Sequence, residues 1–235
     1  MKKLIEKIYH NPIFSRIFPT TKYCLVKELK DCKTVLDLGC GPSSPLQYAK
    51  NVKYSVGVEA FEPYLLESKK RKIHTKYIQK KIEEVDFPAK SFDEVIMIEV
   101  IEHLPKKIGF EMLEKAKRWA KKKVIISTPN GFLLQLERDD NLLQKHLSGW
   151  GVDEMRKLGF RCNGLSGFKS LRQETPAVIE DNDFMASIKK KPRFFWFIMA
   201  TLSQAYTYHF PKKAFEIFCV YAINENKIDY FSSKI

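Results

Sequence analysis

The segment from Thr34 to Pro45 constrains the fold more than any other part of the chain, because it combines a buried strand, a glycine turn and a helix start. Gly39 and Gly41 allow a tight bend that brings backbone N–H groups close to a ligand. Pro45 suits the first turn of a helix. In α/β proteins this turn holds a nucleoside cofactor. The segment therefore predicts a strand–turn–helix unit with a cofactor at the turn.

The carboxylate of Asp37, directly before the turn, narrows the class of ligand. It would repel the pyrophosphate of a dinucleotide, whereas S-adenosylmethionine carries an ammonium and a sulfonium group and no phosphate. Ser44 also stands where a G-x-G-x-x-G motif would have its third glycine. We therefore predict that the turn binds a methyl donor and not a dinucleotide.

Chain length and cysteine spacing limit the domain organisation and the compartment. The sequence has 235 residues, 44% of them hydrophobic, and no Gly/Ser/Pro-rich linker, which predicts one domain. Its five cysteines form no C-x-x-C pair, so we expect neither disulfides nor a thiolate zinc site, and a reducing, cytoplasmic setting. We also expect no secretory signal, and the apolar stretch from Phe194 to Phe210 is too short to span a bilayer.

The net charge of +13 favours an acidic partner, such as nucleic acid, an anionic lipid surface or a phosphorylated metabolite. The lysine clusters, however, fall on several predicted helices and mostly lack interleaved aromatic residues. Grooves that bind nucleic acid usually combine both features. We therefore interpret most of this charge as solvated helix faces, and we do not favour nucleic acid as the partner.

Short apolar strands alternate with helical patterns along the chain, which indicates a parallel sheet with helices on both faces. The apolar spacing predicts a helix over Gly109–Lys122, and another is expected over Val152–Leu158. The predicted strands are Thr34–Leu38, Tyr54–Glu59, Lys76–Gln79, Glu94–Ile98, Val124–Ser127, Arg161–Phe168 and Phe215–Ile223.

Three segments together resemble the class I S-adenosylmethionine-dependent methyltransferases. Val35–Gly41 is similar to the first motif of that family, and Val56–Glu59 to its second strand with a terminal acid, 22 residues after Asp37. Residues 91–95 and 99–104 are similar to the fourth-strand region. The resemblance implies a Rossmann-like, mostly parallel seven-stranded sheet with helices on both faces, an antiparallel last strand and a helical insertion before it. We predict a single domain with an N-terminal cap at 1–30, a cofactor-binding core at 31–168, the insertion at 169–213, and the last strand and tail at 214–235.

The resemblance also implies a set of residues that bind S-adenosylmethionine. Glu59 would accept hydrogen bonds from both ribose hydroxyls, and Asp37 would bind the ammonium group. Lys81 stands where the family often has an acid that binds adenine, so we expect the backbone of Ile82 to take that role. The full set of expected cofactor-binding residues is Asp37, Gly39, Cys40, Gly41, Glu59, Ala60, Ile82 and Glu99.

A second set of residues is expected on the acceptor side. Glu99, Glu102 and His103 are three and four residues apart, so they converge on one side of a helical turn. With His146 they resemble the metal-binding set of the Hen1-type small-RNA 2'-O-methyltransferases. The same E-x-x-E-H pattern occurs in metal-free methyltransferases that act on small molecules. We prefer the metal-free interpretation, in which Glu102, His103 and His146 are the candidate catalytic residues and no metal is bound.

The sequence leaves three functions open. The first is methyl transfer to oxygen or nitrogen of a small-molecule, lipid-linked or glycan acceptor, the second is metal-assisted 2'-O-methylation of RNA, and the third is a non-catalytic S-adenosylmethionine-binding partner. We expect the insertion at 169–213 to form a wall of the acceptor pocket and residues 1–30 to cap that pocket. Lys189–Arg193 before an aromatic helix leaves peripheral membrane contact as an alternative. The oligomeric state stays open.

Overall fold

The structure is a computed structural model that describes residues 11–137, 139–173 and 185–223. A seven-stranded sheet with the order β3-β2-β1-β4-β5-β7-β6 forms its centre. The strands are β1 (Thr34–Leu38), β2 (Tyr54–Val58), β3 (Lys76–Ile78), β4 (Phe92–Ile98), β5 (Ala120–Pro129), β6 (Arg161–Phe168) and β7 (Ala214–Ala222). The helices are α1 (Pro12–Ile17), α2 (Thr21–Glu28), α3 (Glu62–Lys70), α4 (Lys106–Trp119), α5 (Val152–Lys157) and α6 (Arg193–Thr207).

The strand directions confirm the predicted fold class. β1 pairs in parallel with β2 and β4, β2 with β3, and β4 with β5. The last strand, β7, is antiparallel to both of its neighbours, β5 and β6. Because β1, β2 and β4 run in the same direction, their carboxyl ends meet at one edge of the sheet, where ligands bind in open α/β folds.

Most of the predicted elements end within two residues of the observed boundaries, and two elements differ by more. The helix expected over Gly109–Lys122 is α4, which begins at Lys106 after Pro105 and ends at Trp119. Strand β5 begins at Ala120, before the lysines at 121–123, where only Val124–Ser127 was expected. The lysines at 121 and 122 are exposed at the end of the strand, so hydrophobicity alone does not reveal that they belong to it.

Alternate residues of the strands build a core on each face of the sheet. Leu36 and Leu38 of β1 pack with α4 and α5 in one cluster, whereas Val35 packs with α2 in the other. This alternation is the two-residue period of a strand buried on both faces. The largest buried side chains, Trp119 and Trp150, both belong to the first cluster.

The inserted helix α6 packs against β6 through an inner face that includes polar groups. Gln204 accepts a hydrogen bond from the N–H of Gly167 at 2.7 Å and donates one to the carbonyl of Gly164 at 3.0 Å. Ala200 is also buried there. None of the helices in the described part of the chain is long and apolar enough to cross a membrane.

We predict that Gly167→Ala lowers the free energy of unfolding by about 2 kcal/mol, because it overpacks the contact between α6 and β6. Gly167 has φ +71°, and an added Cβ would lie 2.1 Å from the carbonyl oxygen of Ala200. Gly151→Ala is the matched control, since a Cβ at Gly151 meets nothing within 4 Å. Denaturant unfolding of the two variants measures the difference. Equal stability in both would contradict this account of the packing.

Candidate active site

A cleft of about 590 Å³ opens at the edge where β1, β2 and β4 end. All eight residues expected to bind the cofactor line it, and so does His103. The cleft therefore collects both the predicted donor residues and one predicted catalytic residue. Glu102 and His146 lie next to it, and both are buried.

The glycine turn after β1 forms the floor of the cleft. Gly39 and Gly41 have φ values of +67° and +55°, which favour glycine. A Cβ on Gly39 would lie 2.6 Å from a methyl group of Val100, so no larger residue fits there. The N–H groups of Gly39 and Cys40 donate to the carbonyl of Val58 at 2.8 and 3.0 Å, which ties the turn to β2.

Asp37 is buried below this turn. Its Oδ2 accepts a hydrogen bond from the hydroxyl of Ser44 at 2.6 Å, and Nε2 of His74 lies 3.5 Å from the same oxygen. Burial raises the pKa of Asp37 to about 7 and lowers the pKa of His74 to about 4. The sequence reasoning missed His74, because it lies 37 residues further along the chain and outside every motif.

Glu59, directly after β2, is held by two backbone amides. Its Oε2 accepts from Gly41 N at 3.0 Å and its Oε1 accepts from Phe61 N at 2.8 Å. Burial raises the pKa of this carboxyl group above its usual value, although the amides act in the opposite direction. Each carboxylate oxygen has two lone pairs, so both oxygens can still accept a hydrogen bond from a ligand.

Glu99 and Glu102 are neighbouring carboxyl groups on the acceptor side, with Glu102 buried and Glu99 exposed to the cleft. Glu99 has φ +55° and accepts a hydrogen bond from the hydroxyl of Ser127, and Glu102 accepts one from Thr128 at 3.0 Å. The surrounding protein and the neighbouring carboxyl group of Glu102 raise the pKa of Glu99 above its usual value. Desolvation raises the pKa of Glu102 to about 7.

The two predicted histidines lie side by side, with ring centroids 4.8 Å apart. Nδ1 of His103 lies 3.2 Å from the carbonyl oxygen of Lys145, and Nδ1 of His146 lies 2.7 Å from that of Leu133. A carbonyl oxygen only accepts, so each Nδ1 is assigned the proton and each Nε2 keeps the lone pair. Desolvation and the neighbouring His146 lower the pKa of His103 to about 4, and this imidazole is therefore neutral at physiological pH.

One ligand atom from each of Glu102, His103 and His146 lies within 4.8 Å of the others. Such a group can remove a proton from a substrate, because it holds the neutral imidazole of His103 and the carboxyl group of Glu102, whose pKa is raised to about 7. It also fits a divalent cation, since metal-bound histidines usually donate their other N–H to a carbonyl oxygen or a carboxylate, as both do here.

The outer wall of the cleft was not predicted. It comes from the loop after β5, through Asp139, Leu143, Gln144 and Leu147, and Tyr64 of α3 donates a hydrogen bond to Asp139 across the cleft. We predicted that the insertion at 169–213 forms a wall of the acceptor pocket. For the described residues of the insertion this prediction is wrong, since none of them lines the cleft. Likewise, no residue of the expected cap among 11–30 lines it. Residues 1–10 and 174–184 lie outside the described residues.

The cleft is acidic although the chain is basic. Among the described residues that line it, the acidic ones are Asp37, Glu59, Glu83, Glu99 and Asp139, and the only lysine or arginine is Lys81. Carboxylates repel a polyanion, whereas they attract the positively charged groups of a ligand. The lining is also partly apolar, because it includes Leu143 and Leu147 of the outer wall and Leu104 before α4.

A family model described as a methyltransferase domain matches residues 36–128, which include the end of β1, the glycine turn, Glu59 and the Glu99–His103 segment. The chain carries a class I S-adenosylmethionine-dependent methyltransferase domain. This match confirms the resemblance predicted from the three motifs. No curated protein has significant sequence similarity to the chain.

Solved structures agree with the fold of this methyltransferase domain. The methyltransferase domain of a bacterial Hen1 protein, CtHen1-CN, is 20% identical, with 90% of this chain and 100% of that chain covered and a TM-score of 0.51. A chain of the complex between the Haloferax volcanii Trm112 methyltransferase activator and a methyltransferase is 12% identical, with coverage of 95% and 92% and a TM-score of 0.52. The chain spans 60% of the PH0226 protein from Pyrococcus horikoshii OT3, which is 22% identical over 52% of this chain with a TM-score of 0.44.

We predict that Glu102→Gln makes the stability of the protein less sensitive to pH. The folded state raises the pKa of Glu102 to about 7 from a usual value of 4.5, so it favours the protonated form. The resulting stabilisation is present below pH 4.5 and is lost as the pH rises through about 7. The melting temperature in the presence of a chelator should therefore fall less between pH 5 and pH 8 in Glu102→Gln than in the wild type.

Glu114→Gln is the control for this comparison, because the side chain of Glu114 is 70% exposed. It should follow the wild type at both pH values. An identical pH dependence in all three proteins would show that Glu102 is ionised in the folded state throughout this range.

Proposed function

We propose that the cleft binds S-adenosylmethionine through the carboxylates of Asp37 and Glu59 and the backbone of the glycine turn. The bound donor would supply an activated methyl group on its sulfonium. Asp37 is buried, and the neighbouring His74 is uncharged at neutral pH because burial lowers its pKa. An ammonium group of the ligand would therefore compensate the charge of the Asp37 carboxylate. Glu59 is fixed by two amides with its carboxylate in the cleft, which suits a vicinal diol.

We further propose that the acceptor is an uncharged molecule with a hydroxyl group, such as a small molecule, a glycan or a lipid-linked saccharide. The observation that carries this proposal is the composition of the cleft, which is acidic and partly apolar and whose lining includes Lys81 as its only lysine or arginine among the described residues. RNA recognition depends on several cationic contacts with phosphates, and among the described lining residues only Lys81 could supply one. The free, buried state of all five cysteines supports a reducing compartment such as the cytoplasm.

The residues on the acceptor side would accept the proton that the hydroxyl loses when the methyl group is transferred. The new carbon–oxygen bond forms as the carbon–sulfur bond breaks, and the proton passes to Nε2 of His103 or to the Glu102 carboxylate. His146 packs against His103 and keeps its ring in place. The carbonyl of Lys145 fixes the tautomer of His103 in which Nε2 can act as a base.

Metal-assisted 2'-O-methylation of RNA is the second candidate, and the grouping of Glu102, His103 and His146 favours it. The donor set fits a divalent cation, with Glu99 next to it. Such a cation would act as a Lewis acid on the acceptor hydroxyl. The acidic cleft is the reason that we place this candidate second.

We predict that Glu59→Gln weakens binding of S-adenosylmethionine by about 10- to 100-fold, because hydrogen bonds to a charged group contribute about 1.5–3 kcal/mol. Glu62→Gln is the control, since Glu62 is an exposed glutamate in the first turn of α3. Isothermal titration calorimetry gives both dissociation constants. Unchanged affinity in Glu59→Gln would refute the role of Glu59, and no binding by the wild type would refute the cofactor site.

We also predict that His103→Gln lowers the methylation rate by about 100-fold or more, because a positioned base contributes about that much. Binding of S-adenosylmethionine should be unchanged. The assay follows transfer of labelled methyl into fractionated host extract, and His209→Gln is the control because His209 is exposed and remote from the cleft lining. Chelator should leave the rate intact. Loss of activity with chelator, restored by manganese in the wild type alone, would favour the RNA enzyme.

A further inference from the structure

The outward face of α6 consists of large apolar side chains. At about 100° per residue, they occupy a continuous arc of about 140° of the helix surface. All of them are exposed: Phe194, Phe195, Ile198, Met199, Leu202 and Tyr206. A helix on the surface of a water-soluble protein normally turns charged residues outward, and α6 has no charged residue after Arg193.

The orientation of α6 is fixed by its polar inner face. Gln204 and Thr207 are buried, and the side chain of Gln204 bonds to the backbone at Gly164 and Gly167. A rotation that buried the aromatic residues would break both hydrogen bonds and leave buried amides without partners, which is costly. The apolar residues therefore face outward because the fold requires it.

Helix α1 extends the apolar surface beyond α6. Ile13 and Ile17 are one turn apart on α1, and both are exposed. Ile17 shares a crevice with Ala205 and Tyr208. Exposed Phe210 stacks on Tyr206, with ring centroids 4.4 Å apart, at this same carboxyl end of the helix. Together with Ile13, Ile17 and Phe210, the outward face of α6 presents nine exposed apolar side chains, and apolar patches on a surface mark interaction sites.

Positive charge surrounds this surface. The sequence from 184 to 215 contains six lysines and arginines and no aspartate or glutamate. Lys189, Lys190 and Lys191 are exposed just before α6, and Arg16 and Lys27 border the crevice beside Ile17. Anionic head groups attract basic residues of this kind, while aromatic and aliphatic side chains enter the interfacial layer.

We propose that the outward face of α6, together with Ile13 and Ile17 of α1, docks on an anionic lipid surface. Charge decides against a second copy of the chain, because dimerisation through this face would bring the same lysine clusters together. The aliphatic residues at the centre of the face decide against single-stranded nucleic acid, which binds by stacking on aromatic rings. A helix of 15 residues is about 22 Å long, so it lies in the interface and does not span the bilayer. This proposal does not depend on the identity of the methyl acceptor.

The experiment measures binding of the full chain to two kinds of vesicle. One consists of phosphatidylcholine alone, and the other also contains about 30 mol% phosphatidylglycerol, which gives its surface a negative potential. Leu202→Ser is the test variant and Leu66→Ser its matched control, because both leucines lie on helices and are 52% and 55% exposed. The wild type and Leu66→Ser should co-sediment with anionic vesicles, and Leu202→Ser should bind at least about tenfold more weakly. Neither exposed position is needed for folding, which circular dichroism checks.

A charge variant tests the electrostatic part separately. Lys189→Gln/Lys191→Gln should weaken binding to anionic vesicles and reduce its dependence on salt, whereas Lys50→Gln/Lys53→Gln, at exposed positions elsewhere, should not. Three results would overturn the proposal: no binding of the wild type to anionic vesicles, equal loss in Leu202→Ser and Leu66→Ser, or a wild-type dimer that Leu202→Ser dissociates in analytical ultracentrifugation. The last result would assign the surface to self-association.

Discussion

Burial of two carboxyl groups at one edge of the sheet is the constraint on which the site depends. Asp37 and Glu59 lie at the ends of β1 and β2, and the parallel pairing of these strands brings both to the same cleft, where exposed Glu99 follows β4. Desolvation raises the pKa of Asp37 and of Glu59. The fold thus holds carboxyl groups that gain most from a cationic ligand. The ammonium and sulfonium of S-adenosylmethionine meet that requirement, and the polyanionic backbone of a nucleic acid does not.

The sheet and the donor side of the cleft were predictable because their signals are local. Val35–Gly41 encodes a buried strand and a turn at which φ is positive, and the structure has both. The eight residues expected to bind the cofactor all line the cleft, since each stands at or near a strand end. Their contacts with the cofactor remain a proposal, because the position of a side chain does not by itself identify its ligand.

The acceptor side and the outer surface were not predictable because tertiary contacts decide them. Leu143 and Leu147 lie in a loop without helical or strand periodicity, so the sequence does not show that they close the cleft. An aromatic helix gives no indication of which face is buried, and here two hydrogen bonds of Gln204 decide it. Because these hydrogen bonds turn the aromatic face of α6 outward, the described residues of the insertion do not line the cleft, contrary to the sequence-based expectation. His74 was missed because only the fold brings it to Asp37.

The central claim is that an acidic, partly apolar cleft methylates a hydroxyl group of an uncharged acceptor. The most direct test is incubation of the protein with S-adenosylmethionine labelled in its methyl group and with host extract separated into RNA, protein, lipid, glycan and small-molecule fractions. The account predicts label in the glycan, lipid or small-molecule fraction, as a methyl ether that survives mild alkali. Label that enters only RNA, and only when a divalent metal is present, would contradict it.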